Sequence, residues 1–443
     1  MRAVILAAGE GSRIRPHFTE PKPLIKLLGL SLLERSILSL RECGINDFVI
    51  ITGYARNEII DYLGEGSKNK IHITYLHNPN WKQGNGVSAA AFKKIHRPGE
   101  KFILTMADHV FNPEVLKTFV QAAASIGHDE LLLAADKRLD RVWDLHECTK
   151  IKSAGDKAIK LSKTLHDYNA VDCGIFIGTE VLLQALEEAV SGQSYNLTDA
   201  VNILASQGKV KLHYIKADWV DVDDPASFRQ AEKILLKSAL PDKDGLVSRT
   251  VNRKFSLPAS KILCNTAITP NQVTLISFLT ALAAALSFAL HQPALGGILA
   301  QISSVIDGID GEIARLKFLK SNYGSLFDAI LDRYADFFIV TGMAWDWFAK
   351  AGNLAVLLVT AAALTGLPLS MLLKEKYHSI TGKAYLPRQD DGLLKFLPAN
   401  RDGRLFIIML GGIFNMTPAA LVILAVITHF QALGRLAKLR KLL

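Results

Sequence analysis

Between residues 268 and 432 the chain runs through stretches almost free of charge and long enough to cross a lipid bilayer, which limits its fold more than any other feature. Inside hydrocarbon a backbone must satisfy its own hydrogen bonds, so such stretches fold as helices packed together. Apolar runs at about 268–290, 294–314, 325–349, 353–374, 403–415 and 417–434 predict an all-α domain of six transmembrane helices, the fifth being short for a span. Cations set the orientation. Arg315, Lys317 and Lys320 follow the second run, Lys374, Lys376, Lys383, Arg388, Lys395 and Arg401 the fourth, and Arg435, Lys438, Arg440 and Lys441 the sixth, whereas Lys350 alone lies between runs on the other side. The positive-inside rule then predicts a multi-pass protein of the cell membrane with both termini and the front of the chain in the cytoplasm.

The residues ahead of about 260 read differently, alternating charged and apolar stretches as a soluble domain does, and 443 residues suffice for two domains. Cys43, Cys148, Cys173 and Cys264 keep no metal-ligand or redox spacing, which predicts reduced, buried thiols and a reducing compartment. The net charge of +9 gathers beside the apolar runs, where membrane lipid explains it better than nucleic acid does.

Carboxylates inside apolar helices are costly and need a reason. Asp307 and Asp310 stand three residues apart, and Asp328 and Asp332 four apart, so each pair shares a helical face. Two adjacent helices would join all four. Such a cluster repels itself unless divalent ions bind it, and ions held there keep positions open for a pyrophosphate. Salt bridges to Arg315 and Arg333 would explain one or two of the acids. Gly308, Gly311 and Ala314 clear the same helix for a neighbouring helix or a nucleotide. The pattern Asp307-x-x-Asp310-Gly311-x-x-Ala314-Arg315, eight residues, Gly324, three residues, Asp328, three residues, Asp332 resembles the CDP-alcohol phosphotransferase signature at every fixed position. The resemblance spans about 245–435 and includes Ile268 to Thr274 at the start of the first run. It implies metal at Asp307, Asp310 and Asp328, metal or general-base work at Asp332, and CDP against Gly311 and Arg315. Lys376, Arg401 and Arg404 are candidates for an acceptor phosphate, although cytoplasmic topology alone also accounts for them.

At the front, the apolar strand Val4 to Ala8 runs into Gly9-Glu10-Gly11-Ser12-Arg13, a turn whose small residues let backbone N–H groups approach an anion. Arg13 adds a planar fork of donors, and Pro21 and Pro23 hold Lys22 in a stiff loop. The pattern from Leu6 to Arg13 and then Pro21 to Leu24 resembles the sugar-phosphate nucleotidyltransferases over about residues 1–230, with further marks at Met106 to Phe111, Val171 to Phe176 and Trp219 to Asp223. The resemblance implies an α/β, Rossmann-like and GT-A-like fold. It implies a nucleotide held by Leu6, Ala8, Gly9, Gly11 and Asn85, catalytic cations in Arg13 and Lys22, and metal on Asp108 with Asp221 or Asp223. Asn78, Gln83, Gly84 and Asn85 lie where that family reads the base and ribose, and a polar loop accounts for them equally; without the resemblance, a strand-end residue or helix cap is the alternative for Asp108. Asp172 and Lys163 fall where that family meets its second substrate.

These readings divide the chain into a nucleotidyltransferase domain at 1–228, a basic amphipathic connector at 229–262 and a transmembrane domain at 263–443. A fusion implies that the front makes the activated alcohol that the back consumes, so CTP is the expected nucleotide. The arrangement resembles the bifunctional family that joins an inositol-1-phosphate cytidylyltransferase to a di-myo-inositol-phosphate-phosphate synthase for compatible-solute synthesis. It implies CTP, inositol 1-phosphate and CDP-inositol as partners, Mg²⁺ or Mn²⁺ in both domains, and a homodimer through the transmembrane helices. A phospholipid synthase using CDP-diacylglycerol, with a front domain that activates a sugar phosphate, is the alternative.

Overall fold

The computed structural model describes residues 1–67, 70–241 and 244–440, so Asp242, Lys243 and Lys441, which belong to the charged connector and tail, lie outside the described residues. Contacts within the chain divide it into two compact units, Met1–Ser238 and Ala239–Leu443, and the division falls inside the 229–262 stretch.

The strands of the first unit are β1 (Arg2–Ala7), β2 (Lys26–Leu27), β3 (Leu30–Ser31), β4 (Asp47–Thr52), β5 (His72–His77), β6 (Phe102–Met106), β7 (His109–Phe111), β8 (Leu131–Asp136), β9 (Lys150–Ala154), β10 (Lys157–Ser162), β11 (Ala170–Gly178), β12 (Val210–Tyr214) and β13 (Trp219–Asp221). Its helices are α1 (Leu32–Arg41), α2 (Arg56–Leu63), α3 (Asn85–Ala90), α4 (Pro113–Gln121), α5 (Glu180–Ser191), α6 (Leu197–Ser206) and α7 (Pro225–Ser238). Nine strands form one sheet in the order β5-β4-β1-β6-β11-β8-β12-β10-β9. β1 lies parallel to both β4 and β6, and its run of apolar residues is buried on both faces, as a central parallel strand requires. Ile5 and Val171 join the core on one face of the sheet, and Val4 and Phe176 the core on the other. β7 and β13 make a separate antiparallel ribbon that sets Asp221 opposite His109.

The helices of the second unit are α8 (Arg253–Leu263), α9 (Pro270–Ala289), α10 (Pro293–Leu316), α11 (Asn322–Ala351), α12 (Leu354–Thr381), α13 (Pro387–Asp390), α14 (Arg401–Ile413) and α15 (Thr417–Leu439). Local chemistry fixes where they begin. Thr269 caps α9 through a capping box with Gln272 and is followed by Pro270 at the first helical position, while Ser321 caps α11 by accepting from Gly324 N. Each of the six apolar runs falls on a helix, but among the described residues only α9, α12 and α15 are long and apolar enough to cross a membrane by themselves. The expected count of six spans is not met on that measure: α14 has 13 residues, and α10 and α11 carry the acids within their length.

α9 packs on both α10 and α11, and small residues bring them close: a Cβ at Gly342 of α11 would come within 2.3 Å of the Ala285 carbonyl oxygen. α8 is inside-out. Arg253, Ser256 and Ser260 are buried while Phe255 and Ile262 are 63% and 69% exposed, with Lys254 and Lys261 exposed beside them.

Candidate active sites in the two units

In the first unit, the strand ends place the expected residues around one cavity. β1 leads into the Gly9–Arg13 turn, β6 ends just before Asp108, and β13 ends at Asp221. Leu6, Ala8, Gly9, Arg13, Asn85, Asp108, Asp172, Asp221 and Asp223 all line a cavity of about 440 Å³. Gly11 and Lys22 line an adjoining pocket with Gly9, Arg13 and Asp108. Gly11 has a φ of +67°, and a Cβ there would meet the Lys22 side chain at 2.6 Å, so glycine is what lets the turn close over the lysine. The Lys22 Nζ lies 2.5 Å from both Asp108 Oδ2 and Asp223 Oδ1, and 3.8 Å from Asp221 Oδ1. Arg13 pairs with Asp223 and lies 3.4 Å from Glu147. Asn85 Oδ1 accepts from Leu197 N at 2.8 Å, which fixes that side chain in the wall.

Charge concentrates here. Burial alone would lower the Lys22 amine, but Asp108, Asp221 and Asp223 outweigh it and hold the group well above its ordinary range. Burial works against ionising Asp108, yet Lys22 and His109 keep it well below the usual carboxylate range. Asp221 is pushed up to about 6 by burial and by the charge on Asp108. His109, lowered by burial, is raised by Asp221 and Asp108 to about 9 overall. Asp172 is raised to about 6 by burial, against a hydrogen bond from Gly174 N at 2.7 Å. Asp221 Oδ1 is buried and accepts no hydrogen bond among the described residues, so a divalent ion beside Asp108 and His109 would meet a need already present.

Other front residues fall elsewhere. Asn78 is buried, donates to Ser88 Oγ at 2.9 Å and accepts from Asn80 N, so it braces the loop and does not face the cavity. Gln83 is not in the cavity wall, whereas Gly84 and Lys163 are, with Lys163 3.6 Å from Glu147. Trp143, Asp144 and Glu147 complete that wall and carried no sequence signal.

In the second unit, Asp310 lies six residues before the end of α10 and Asp328 six after the start of α11, so a short loop leaves both at one depth, ~9 Å from their helix ends. Carboxylate oxygens of Asp307, Asp310 and Asp328 lie within 4.8 Å of one another, a spacing suited to shared divalent ions. Asp332 stands beside that trio: Arg401 Nη1 lies 2.8 Å from Asp307 Oδ1 and 2.9 Å from Asp332 Oδ1. Thr274 donates to Asp310 Oδ2 at 2.5 Å, which gives the end of the Ile268–Thr274 segment a position in the site. The acids open on a cavity of about 330 Å³ also lined by Gly311, Arg315, Arg401 and Arg404. Arg315 donates to the Ala239 carbonyl. Lys376 is exposed on α12 and outside that lining, while Lys374, three residues beyond Met371, is part of it.

Sequence reasoning missed three residues here. Asp336, one turn beyond Asp332, pairs with Arg404 at 2.7 Å and lies 3.6 Å from Arg401, and its continuation of the 328, 332 spacing was the available signal. Glu312 is fully buried and accepts from Arg253 Nη1, Ser256 and Ser260 of α8. Arg253 also donates to the Gly308 carbonyl at 3.1 Å and lines the same cavity as the acids.

Two family models match the chain in succession, the MobA-like NTP transferase domain over residues 3–193 and the CDP-alcohol phosphatidyltransferase over residues 267–431. The protein is therefore a transferase with a nucleotidyltransferase domain followed by a CDP-alcohol phosphotransferase domain, whose apolar helices make it a membrane protein. Over 442 residues it is 33% identical to the bifunctional IPC transferase and DIPP synthase of Rubrobacter xylanophilus, covering 99% of this chain and 96% of that one. The protein of the same name from Thermococcus kodakarensis is 31% identical over 438 residues, covering 97% and 95%. The chain belongs to the family of bifunctional IPC transferases and DIPP synthases. Among solved structures, the inositol-1-phosphate CTP transferase from T. maritima aligns with 53% of this chain and 95% of its own, at 24% identity and a TM-score of 0.46.

Proposed function

We propose that the first unit joins CTP to inositol 1-phosphate, giving CDP-inositol and pyrophosphate, and that the second couples CDP-inositol to another inositol 1-phosphate, giving di-myo-inositol phosphate phosphate and CMP. The observation that carries this reading is a pair of acid-lined sites in one chain, one in each of the two units. The names of its full-length relatives, which pair an IPC transferase with a DIPP synthase, support the substrates.

Mg²⁺ or Mn²⁺, when bound at either site, would neutralise phosphate charge and the developing charge of the leaving group. In the first unit Asp108 with Asp221 or Asp223 would hold the ion. The backbone of Leu6, Ala8, Gly9 and Gly11, with Arg13 and Lys22, aligns the triphosphate so that an inositol phosphate oxygen attacks the α-phosphorus and pyrophosphate leaves. Asn85 stands at the nucleoside end. In the second unit Asp307, Asp310 and Asp328 would hold metal, and Gly311 and Arg315 border the CDP group. Asp332 takes the proton of the attacking hydroxyl as the new bond to the β-phosphorus forms and CMP departs. Arg401 and Arg404 receive the acceptor phosphate. Both termini and both sites face the cytoplasm, a reading supported by the cations after the second, fourth and sixth apolar runs. We assign the homodimer contact to the transmembrane helices.

The test separates the half-reactions in detergent-solubilised full chain. Asp108→Asn is expected to stop pyrophosphate release from CTP yet release CMP when given CDP-inositol and inositol 1-phosphate, and Asp328→Asn to do the reverse. CMP release from CDP-diacylglycerol, with CDP-inositol inert, would instead make the chain a phospholipid synthase.

A further inference from the structure

His109 has no part in the scheme above, yet it stands among the front acids. The β7–β13 ribbon sets it opposite Asp221. Its Nδ1 lies 2.9 Å from Asp108 Oδ1 and 3.8 Å from Asp221 Oδ1. The side chain is 10% exposed and stacks on Trp219 with ring centroids 6.1 Å apart. Its Nε2 edge is closed by Gly174, where a Cβ would come within 2.2 Å. The ring therefore presents Nδ1 to the carboxylates and has no room to turn.

Neighbouring donors on a small divalent ion with ~2.1 Å bonds lie about 3.0 Å apart, and opposite donors about 4.2 Å. The separations from Nδ1 to the two carboxylates, 2.9 and 3.8 Å, fall at and within those limits. A plain ion pair with Asp108 explains the first distance. It leaves unexplained why Asp221 Oδ1, buried and accepting no hydrogen bond among the described residues, converges on the same point.

We infer that His109 supplies a nitrogen ligand to the divalent ion of the nucleotidyltransferase site, beside Asp108 and Asp221, and so biases that site toward Mn²⁺ or Co²⁺ over Mg²⁺. The inference rests on reading that site as metal-dependent. Imidazole suits transition ions, whereas Mg²⁺ prefers hard oxygen. An entering ion takes the place of the imidazole proton, and the Lys22 ammonium gives up Asp108 to meet the phosphates. The described residues lining the second cavity include no histidine, so the two sites of one chain differ in metal preference.

Pulsed electron paramagnetic resonance on the solubilised full chain with one equivalent of Mn²⁺ and CTP tests this. One ion is expected to show ³¹P coupling from the nucleotide together with ¹⁴N modulation from a bound imidazole, which changes to the ¹⁵N pattern when histidine is labelled. Phosphorus coupling without nitrogen modulation overturns the inference and leaves His109 as a hydrogen-bond donor that orients Asp108. Mn²⁺ without phosphorus coupling, bound equally well by Asp108→Asn, overturns the metal reading of the site as well. His109→Asn is expected to lower the Mn²⁺ to Mg²⁺ ratio of pyrophosphate-release rates roughly tenfold, and an unchanged ratio contradicts the proposal. Should that variant fail to fold, the wild-type spectrum decides.

Discussion

Arg401 touches Asp307 and Asp332 through the same nitrogen, while Asp336 holds Arg404 from the next turn of α11. Cations and acids alternate across the site, and Asp336 is the acid that reaches both arginines, 3.6 Å from Arg401 and 2.7 Å from Arg404. Asp336→Asn keeps the shape but loses the charge that fixes both arginines, and it is expected to raise the KM for inositol 1-phosphate about tenfold in the CMP-release assay with kcat changed less. A fall in kcat at constant KM would instead place Asp336 among the reacting groups. In the first unit, the raised carboxyl of Asp172 makes a prediction about pH. Its folded-state value of about 6 exceeds its ordinary 3.8, so its contribution to stability is complete below 3.8 and is lost as the pH rises through 6. At ~1.4 kcal/mol per pH unit the loss amounts to at most about 3 kcal/mol. Asp172→Asn is expected to melt at a higher temperature than wild type at pH 7.5 and to lose that advantage below pH 4; calorimetry of metal-free protein checks it.

At the scale of elements, α8 is held to α10 by a buried charge. Glu312 accepts from Arg253 and from two serines of α8, and Arg253 also pairs with Asp244, so removing Arg253 leaves two carboxylates without their cation, of which Glu312 is fully buried. Arg253→Met is expected to destabilise the second unit by roughly 3–5 kcal/mol, and the double change Arg253→Met with Glu312→Gln by clearly less. Additive losses in the two variants would contradict the pairing. The same elements show what a sequence reveals. The acid pairs were legible because helical spacing fixes which residues share a face, and a short loop between α10 and α11 then sets both pairs at one depth. The Leu6–Arg13 turn was legible because strand, glycine and cation occur in order. Arg253 and Glu312 were not, because 59 residues separate them and no local rule pairs them. Asn78 misled, since an asparagine in a loop serves a nucleotide or its own backbone equally well. The count of six spans is not confirmed, because α14 is short and α10 and α11 carry acids within their length, so length and composition single out α9, α12 and α15 alone among the described residues.

For the whole molecule, two chemistries that share one intermediate explain why a soluble α/β unit and a membrane unit belong to a single chain. Chelation of divalent ions is expected to stop both pyrophosphate and CMP release, and Mg²⁺ alone is expected to restore CMP release from CDP-inositol more fully than pyrophosphate release from CTP. Equal recovery of both would argue for all-oxygen metal sites in both units. The most direct measurement is the phosphorus spectrum of purified full chain supplied with Mg²⁺, CTP and inositol 1-phosphate, read beside Asp332→Asn under the same conditions. Wild type is expected to yield pyrophosphate and CMP in equal amounts with a new phosphodiester signal, and Asp332→Asn to yield pyrophosphate and accumulate the pyrophosphate diester of CDP-inositol. Pyrophosphate with no phosphodiester in wild type, or CMP released without prior pyrophosphate, would contradict the coupling of the two sites.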